Sequence, residues 1–406
     1  MPDVTFAGVR VALAEVQEHP ARYARSLERA KVTPGYAFCH CRTDQPRQLV
    51  IRRYGSLFHL AGWPDDGVHH APGCDFQKDP GRERPAAAGD STAAIVEGHD
   101  GLNVRLDATL IQRDVVPGPR TPKTGAAPRT TRRRAPLLAF LQALWQTAGL
   151  TSWPGTSMAR GWGAVNAMLL AGLGAQAKIN GAPADEVLYV MRRYEESERE
   201  TINAEFDAFL SRISNDGTVS HRALILGELG EVADTPYGKS ITLRQRRQKY
   251  FSTTALVDHA AKTYAHAWRA IGDGSARVIA VLLVERTAKG HLRVVDLAAM
   301  LCSSTFLPCD SIHEVSMANR LVSARRIFEK PIHMGAADDM LPDFVLLDTR
   351  PTTHVEVYGM YGLASYERRK AEKLALRAAR GIPAVEWNVD RELLEHIALP
   401  PVSARA

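Results

Sequence analysis

Between residues 117 and 136 the chain carries Pro117, Gly118, Pro119, Pro122, Gly125, Pro128 and Pro136 among threonines and arginines. Proline fixes φ and lacks a backbone donor, so neither a helix interior nor a central strand can run through this stretch, which reads as a flexible connector. At 406 residues the chain also exceeds the roughly 250–300 residues that one hydrophobic core organises. A multidomain α/β protein is therefore expected. Residues 1–116 would form a β-rich unit, 117–136 the linker, 137–215 a helical region and 216–406 an α/β unit. A hydrophobic content of 45% with 24% charged residues is the balance of a folded chain.

The connector holds Arg120, Lys123, Arg129, Arg132, Arg133 and Arg134 and no acid, so its six positive charges equal the formal surplus of +6 for the whole chain. Such a run is either a solvated linker or an arm that contacts phosphates, and Arg129, Arg132, Arg133 and Arg134 are the nucleic-acid candidates. Glu15, Glu18 and His19 interrupt the first twenty residues, so no secretory signal is expected there. The uncharged stretch 161–177 falls short of the ~20 apolar residues of a membrane span. The expectation is a cytoplasmic protein without membrane contact.

Within the first unit, residues 21–31 read as a helix and residues 49–53 and 56–60 as strands. Leu102, Val104, Leu106, Ala108 and Leu110 alternate with the period of two of a strand with one buried face. Beyond the linker, Leu138, Leu141, Leu144 and Trp145 are spaced as on a helix, and a second helix is expected over 162–178, after a break at Trp153-Pro154-Gly155. Two helices and a turn admit a helix-turn-helix reading, but Trp145, Trp153 and Trp162 look like core. Further on, residues 223–226, 278–284 and 292–297 read as strands and 250–271 as a helix. The segment 311–400 gives helix, strand, strand, helix and strand.

Five cysteines make no disulfide framework in a chain of this length, and three of them, Cys39, Cys41 and Cys74, lie close in sequence. Cys39-His40-Cys41 offers two thiolates; His70-Ala71-Pro72-Gly73-Cys74 offers an imidazole and a third thiolate. Four such donors are the closed set of a structural zinc site, and a hairpin between the pairs would bring them together. The ligands expected are Cys39, Cys41, His70 and Cys74, with His40, His59 and His69 competing for the fourth place. Cys302 and Cys309 receive no role.

Near the C-terminus, Leu341-Pro342-Asp343-Phe344-Val345 and His354-Val355-Glu356-Val357-Tyr358 are two strand-like runs with one acid each. Carboxylates on adjacent strands repel unless a proton or a metal lies between them, and magnesium is satisfied by few protein oxygens because it keeps several waters. These two segments resemble the PD-(D/E)XK nuclease superfamily, which places Pro-Asp on one strand and Glu-x-Lys on the next. The resemblance implies a restriction-endonuclease-like core with Asp343 and Glu356 holding magnesium or manganese, and Glu314 of the preceding helix as a further candidate. The lysine position is Tyr358; Lys370 or Lys373 in the following helix would have to supply the cation.

The cysteine pattern, the stretch from Leu144-Trp145 to Trp162 and the run Arg326-Ile327-Phe328-Glu329-Lys330-Pro331 before Pro342-Asp343-Phe344 resemble an uncharacterised bacterial family of unknown function, number eleven seventy-three. That resemblance implies a setting on conjugative or integrative elements and names no reaction. The expectation is a metal-dependent DNA endonuclease or DNA-processing protein of a mobile genetic element, with DNA and proteins of a DNA-transfer system as partners. The alternative is a non-catalytic DNA-binding or assembly factor with a degenerate nuclease core. A purely structural protein would leave the arginine run and the two acids exposed and far apart.

Overall fold

The computed structural model describes residues 2–77, 93–98, 101–113, 133–155, 160–333, 340–359 and 364–403. Arg129 and Arg132, with the rest of the connector before residue 133, lie outside them. The first unit is an antiparallel sheet in the order Val9–Ala12, Asp3–Phe6, Tyr36–Cys39, Arg47–Tyr54, Leu57–Gly62. The helices Leu13–Glu18 and Pro20–Val32 precede its third strand. The expected strands at 49–53 and 56–60 are the two arms of a hairpin in which Tyr54 pairs with Leu57. Val4, Phe6, Leu13, Leu27, Leu49 and Ile51 form the core of this unit.

A second apolar cluster extends from Leu102 to Ile397. The alternating residues Leu102, Val104, Leu106, Ala108 and Leu110 are all buried in it, although only Gly101–Val104 is regular strand. Trp145, Trp153 and Trp162 are core; the indoles of Trp145 and Trp162 donate to the carbonyls of Phe306 and Met191 at 2.9 and 2.7 Å. These packed rings give the helices Leu137–Thr147 and Trp162–Leu173 a core role. The second helix ends at Leu173, short of the expected 178, because Gly174 takes φ +83°, a conformation open to glycine. Its first turn is tied to the N-terminal unit: Glu18 accepts from the Ala164 backbone N–H at 3.0 Å and from Arg193 at 2.6 Å. Ser152–Pro154, expected as a break, forms an edge strand instead.

Five strands then close into a barrel: Ala223–Thr235, Gly238–Leu243, Arg246–Ser252, Ala276–Arg286 and Leu292–Ser303. The first pairs with both the second and the fourth, the third lies parallel to the fifth, and the fourth and fifth form a long antiparallel pair. The strands expected at 223–226, 278–284 and 292–297 are segments of these longer ones. The single helix expected over 250–271 is not formed. Tyr250 and Ser252 are strand residues, and Thr253 caps a helix Thr254–Thr263 by accepting from the Leu256 N–H at 3.2 Å. Fully buried Tyr250 pairs with fully buried Ile241 inside the barrel, a demand of the sheet that outweighs the helical spacing of residues 256–268.

The last sheet runs in the order Ala384–Asn388, Thr353–Tyr358, Phe344–Leu346, Ile327–Glu329, Ser152–Pro154. Helix Ile312–Ser323 precedes its three antiparallel strands, and helix Ala364–Arg380 crosses over to the final strand, which is parallel to Thr353–Tyr358. Three strands therefore stand where two were expected; Ile327–Glu329 is too short for its alternation to show in sequence. Bidentate Arg326–Asp348 bonds at 2.8 and 2.7 Å anchor the sheet beside the paired strands Ile327–Glu329 and Phe344–Leu346. Burial opposes the charge of Asp348, yet these bonds and the Ile327 N–H hold its carboxyl below the usual range. Among the described residues no helix is long and apolar enough to cross a membrane.

Candidate functional site

The third strand of the N-terminal sheet ends at Cys39, which places Cys39 and Cys41 at the sheet's rim. The hairpin Arg47–Tyr54/Leu57–Gly62 returns the chain to the same rim. There the Cys74 N–H bonds the Ala71 carbonyl at 3.0 Å, closing a turn in which Gly73 takes φ +80°. That left-handed conformation is why the turn carries Gly after Pro. As a result, the Sγ atoms of Cys39, Cys41 and Cys74 and a ring nitrogen of His70 lie within 4.8 Å of one another.

Cys39 Sγ is 3.7 Å from Cys74 Sγ, and His70 Nδ1 is 3.3 Å from Cys41 Sγ and 3.5 Å from Cys74 Sγ. Zinc bonds of about 2.3 Å to sulfur and 2.0–2.1 Å to nitrogen arranged tetrahedrally require donor separations of about 3.5–3.8 Å. The donor set and its spacing fit, and the cluster can hold a zinc ion. On the far side of the ring, His70 Nε2 faces Asp66 Oδ2 at 3.9 Å, where a carboxylate can fix the tautomer of a ligating imidazole.

The competing histidines are elsewhere. His40 bonds Thr5 at 2.8 Å, His69 is exposed, and His59 is buried in the strand Leu57–Gly62 with neither ring nitrogen bonded among the described residues. Burial, with the charge of Arg192, pushes the His59 imidazole down to about 4. Burial likewise raises the Cys41 thiol. The hydrogen bond to Cys39 raises the Cys74 thiol, and burial adds to this. A cation reverses that preference, because a coordinating thiol is deprotonated.

At the C-terminal sheet, Asp343 stands just before the strand Phe344–Leu346 and Glu356 lies in the adjacent Thr353–Tyr358. Asp343 Oδ2 accepts from the Val357 N–H at 2.7 Å. Burial raises its carboxyl, Lys330 and that N–H oppose the rise, and Glu356 adds to it. Glu356 is buried; Lys373 donates to its Oε2 at 2.9 Å and to the Leu341 carbonyl at 2.6 Å. Arg377 Nη1 is 3.1 Å from the other carboxylate oxygen. The spacing of Lys373 and Arg377 on helix Ala364–Arg380 puts both on one face, four residues apart.

The other candidates are positioned differently. Lys370 donates to Asn388 Oδ1 at 2.9 Å and lies over the Tyr358 ring at 3.8 Å from its centroid. The Tyr358 hydroxyl accepts from Arg377 at 3.2 Å. Glu314 takes the Lys330 ammonium at 2.7 Å and the Asp310 N–H at 3.0 Å. Burial pushes the Glu314 carboxyl up to about 7 against the pull of Lys330. Lys330 is itself buried: desolvation works against its charge, and Glu314, Asp310 and Asp343 overcome it and hold the ammonium charged. Arg133 and Arg134 are exposed at the entrance to the helical region, beside a short pairing of Leu106 with Ala135.

Residues 10–389 match the sequence model of a family described as a protein of unknown function, DUF1173. The chain belongs to that family. No curated protein and no solved structure matches it significantly. In this DUF1173 protein the sequence reading overlooked Lys330 and Arg377, whose charges meet those of Glu314 and Glu356. A lysine between an aromatic strand and a proline, in Phe328-Glu329-Lys330-Pro331, was the available signal, since such a lysine is seldom buried without a carboxylate partner.

Proposed function

We propose that the C-terminal sheet is a metal-dependent DNA-processing centre of the PD-(D/E)XK kind, with Asp343 and Glu356 as ligands of magnesium or manganese and Lys373 as the neighbouring cation. The observation that carries this reading is the 2.9 Å contact of Lys373 with Glu356, made from the helix after the strand whose lysine position holds Tyr358. The order helix, three antiparallel strands, helix, parallel strand supports a restriction-endonuclease-like core. When bound, magnesium would lower the pKa of a water and offset charge developing on a phosphodiester. Lys373 would orient that water beside Glu356; Lys330, held by Glu314, lends positive charge near Asp343. Glu314 then positions Lys330, and Lys370 braces Tyr358. In the same reading, zinc in the thiol–imidazole cluster is structural, and Arg129, Arg132, Arg133 and Arg134 contact the DNA backbone. The partners inferred, in keeping with the resemblance to a mobile-element family, are DNA and proteins of a DNA-transfer system, met in the cytoplasm.

Cleavage of supercoiled and single-stranded DNA with magnesium or manganese tests this. Asp343→Asn and Glu356→Gln should abolish cutting, and Lys373→Met should slow it by about 10²-fold or more, the scale of a lost acid–base or water-orienting group. Cutting that survives both carboxylate changes sinks the proposal. The second reading, a DNA-binding factor that does not cut, draws on Glu356 being met on both oxygens by Lys373 and Arg377. It predicts salt-dependent binding with no cleavage by any form.

A further inference from the structure

The barrel's third strand, Arg246–Ser252, has two unlike faces. Tyr250 and Ser252 are buried, while Arg247, Lys249 and Phe251 alternate with them and are exposed. From residue 237 to 251 the chain carries Lys239, Arg244, Arg246, Arg247 and Lys249 and no acid. Arg244 is spoken for by Glu228, Arg246 by Asp207, and Lys239 by Asp234. Arg247 and Lys249 have no ion-pair partner among the described residues. Across the same outer face, Phe251 lies level with Arg293 of the fifth strand, and Lys249 level with Thr242. Of the nearby carboxylates, Glu285 is held by Arg222 and Arg293, and Glu231 is two strands from Lys249 across Thr242.

Exposed aromatic rings accompany the two unpartnered cations. Phe251 and His291, the latter just before the fifth strand, meet edge to face with centroids 5.7 Å apart. Tyr237, in the turn between the first and second strands, is 99% exposed. The row Arg247, Lys249, Phe251, with His291 beside Phe251, joins unpaired positive charge to aromatic surface, which matches the alternation of base and phosphate along a single strand, whereas a duplex hides its base faces. Small five-stranded barrels use the face of the second and third strands and the loops beside it to bind oligonucleotides.

We propose that this face binds single-stranded nucleic acid, with Phe251, His291 and Tyr237 stacking on bases and Arg247 and Lys249 contacting phosphates. The surface is on a different sheet from Asp343 and Glu356, so the proposal stands whether or not the chain cuts DNA. The test is fluorescence anisotropy of the full-length protein with labelled fifteen-nucleotide oligo-dT, oligo-U and a duplex, without added divalent metal. Variants are accepted when their circular dichroism and melting midpoint match the wild type. Phe251→Ala should weaken oligo-dT binding by about 10-fold, and Phe251→Tyr should restore it. Arg247→Ala with Lys249→Ala should make the slope of log affinity against log salt shallower by about 1.4, two phosphates at roughly 0.7 each. Oligo-U binding like oligo-dT places RNA among the ligands, and weaker oligo-U binding restricts the face to DNA; both uphold the proposal. Duplex preferred over single strand, inorganic polyphosphate competing as well as the oligonucleotide with Phe251→Ala silent, or no binding, would each overturn it.

Discussion

At the N-terminal rim, the thiols of Cys39, Cys41 and Cys74 find one another, the His70 ring and the Ala71 N–H. At the C-terminal sheet, by contrast, Glu356 is met by Lys373 and Arg377, and Glu314 by Lys330. Both clusters gather ionisable groups away from water, where an uncompensated charge costs several kcal/mol. The first leaves its countercharge to an added cation, so its geometry is complete only when thiolates form around a metal. The second carries its countercharge in its own side chains, so its folding requires no metal, and on the proposed function a divalent ion there would serve chemistry rather than structure.

That contrast can be broken most violently at the thiols. Cys74→Ser, or removal of metal by a strong chelator, should unfold the N-terminal sheet, since structural zinc contributes on the order of 10 kcal/mol to small units of this kind. Hydrogen exchange over Tyr36–Cys39 and Arg47–Tyr54 reports it, and protection that survives chelation speaks against the account. The next largest effect belongs to the other region. Lys330→Met strands the Glu314 carboxylate and should cost about 3–5 kcal/mol in urea unfolding, as breaking a buried pair does. Pairing it with Glu314→Gln should recover much of that loss. If the double variant is no better than the single one, the charges are not compensating each other.

Acid separates the regions more gently. The His59 imidazole is pushed down to about 4 in the fold, below its unfolded value, so the unfolded chain binds more protons between about 6.5 and 4. Stability is then lost as the pH falls through that window. Relative to wild type, His59→Leu should spare about 2 kcal/mol at pH 5, the integral of one proton over 1.5 pH units, read from urea midpoints at pH 7 and 5. Equal losses in both proteins would exclude His59 as the acid-sensitive group. The smallest effect is expected for Lys370→Met, about 1 kcal/mol, the scale of its bond to Asn388 and its contact with the Tyr358 ring, with the proposed DNA cleavage changed less than threefold. A large loss of cleavage there would move the cation of the proposed site from Lys373 to Lys370.

The thiol cluster was legible in sequence because its ligands come as two local pairs joined by a hairpin, and Pro72-Gly73 announces the turn that orients the second pair. The carboxylate cluster was legible only in part. Asp343, just before one strand, and Glu356, in its neighbour, lie thirteen positions apart, but the nearby cations come from a helix and from just after a strand of three residues, Ile327–Glu329, that shows no alternation. Lys330 follows that strand and was therefore passed over. The barrel stayed hidden for a related reason: helical spacing over 256–268 drew residues 250–252 into a helix, although Tyr250 belongs to the sheet. Within Arg247-Gln248-Lys249-Tyr250-Phe251 only Tyr250 is buried, and the exposed Phe251 beside it hides the period of two from an apolar count.

Metal analysis by plasma mass spectrometry, on protein purified without added metal and dialysed, tests the contrast between the two clusters most directly. The account predicts one zinc per chain in the wild type, retained in Asp343→Asn and lost in Cys74→Ser. A folded N-terminal sheet with no zinc, or zinc that leaves with Asp343, would contradict it.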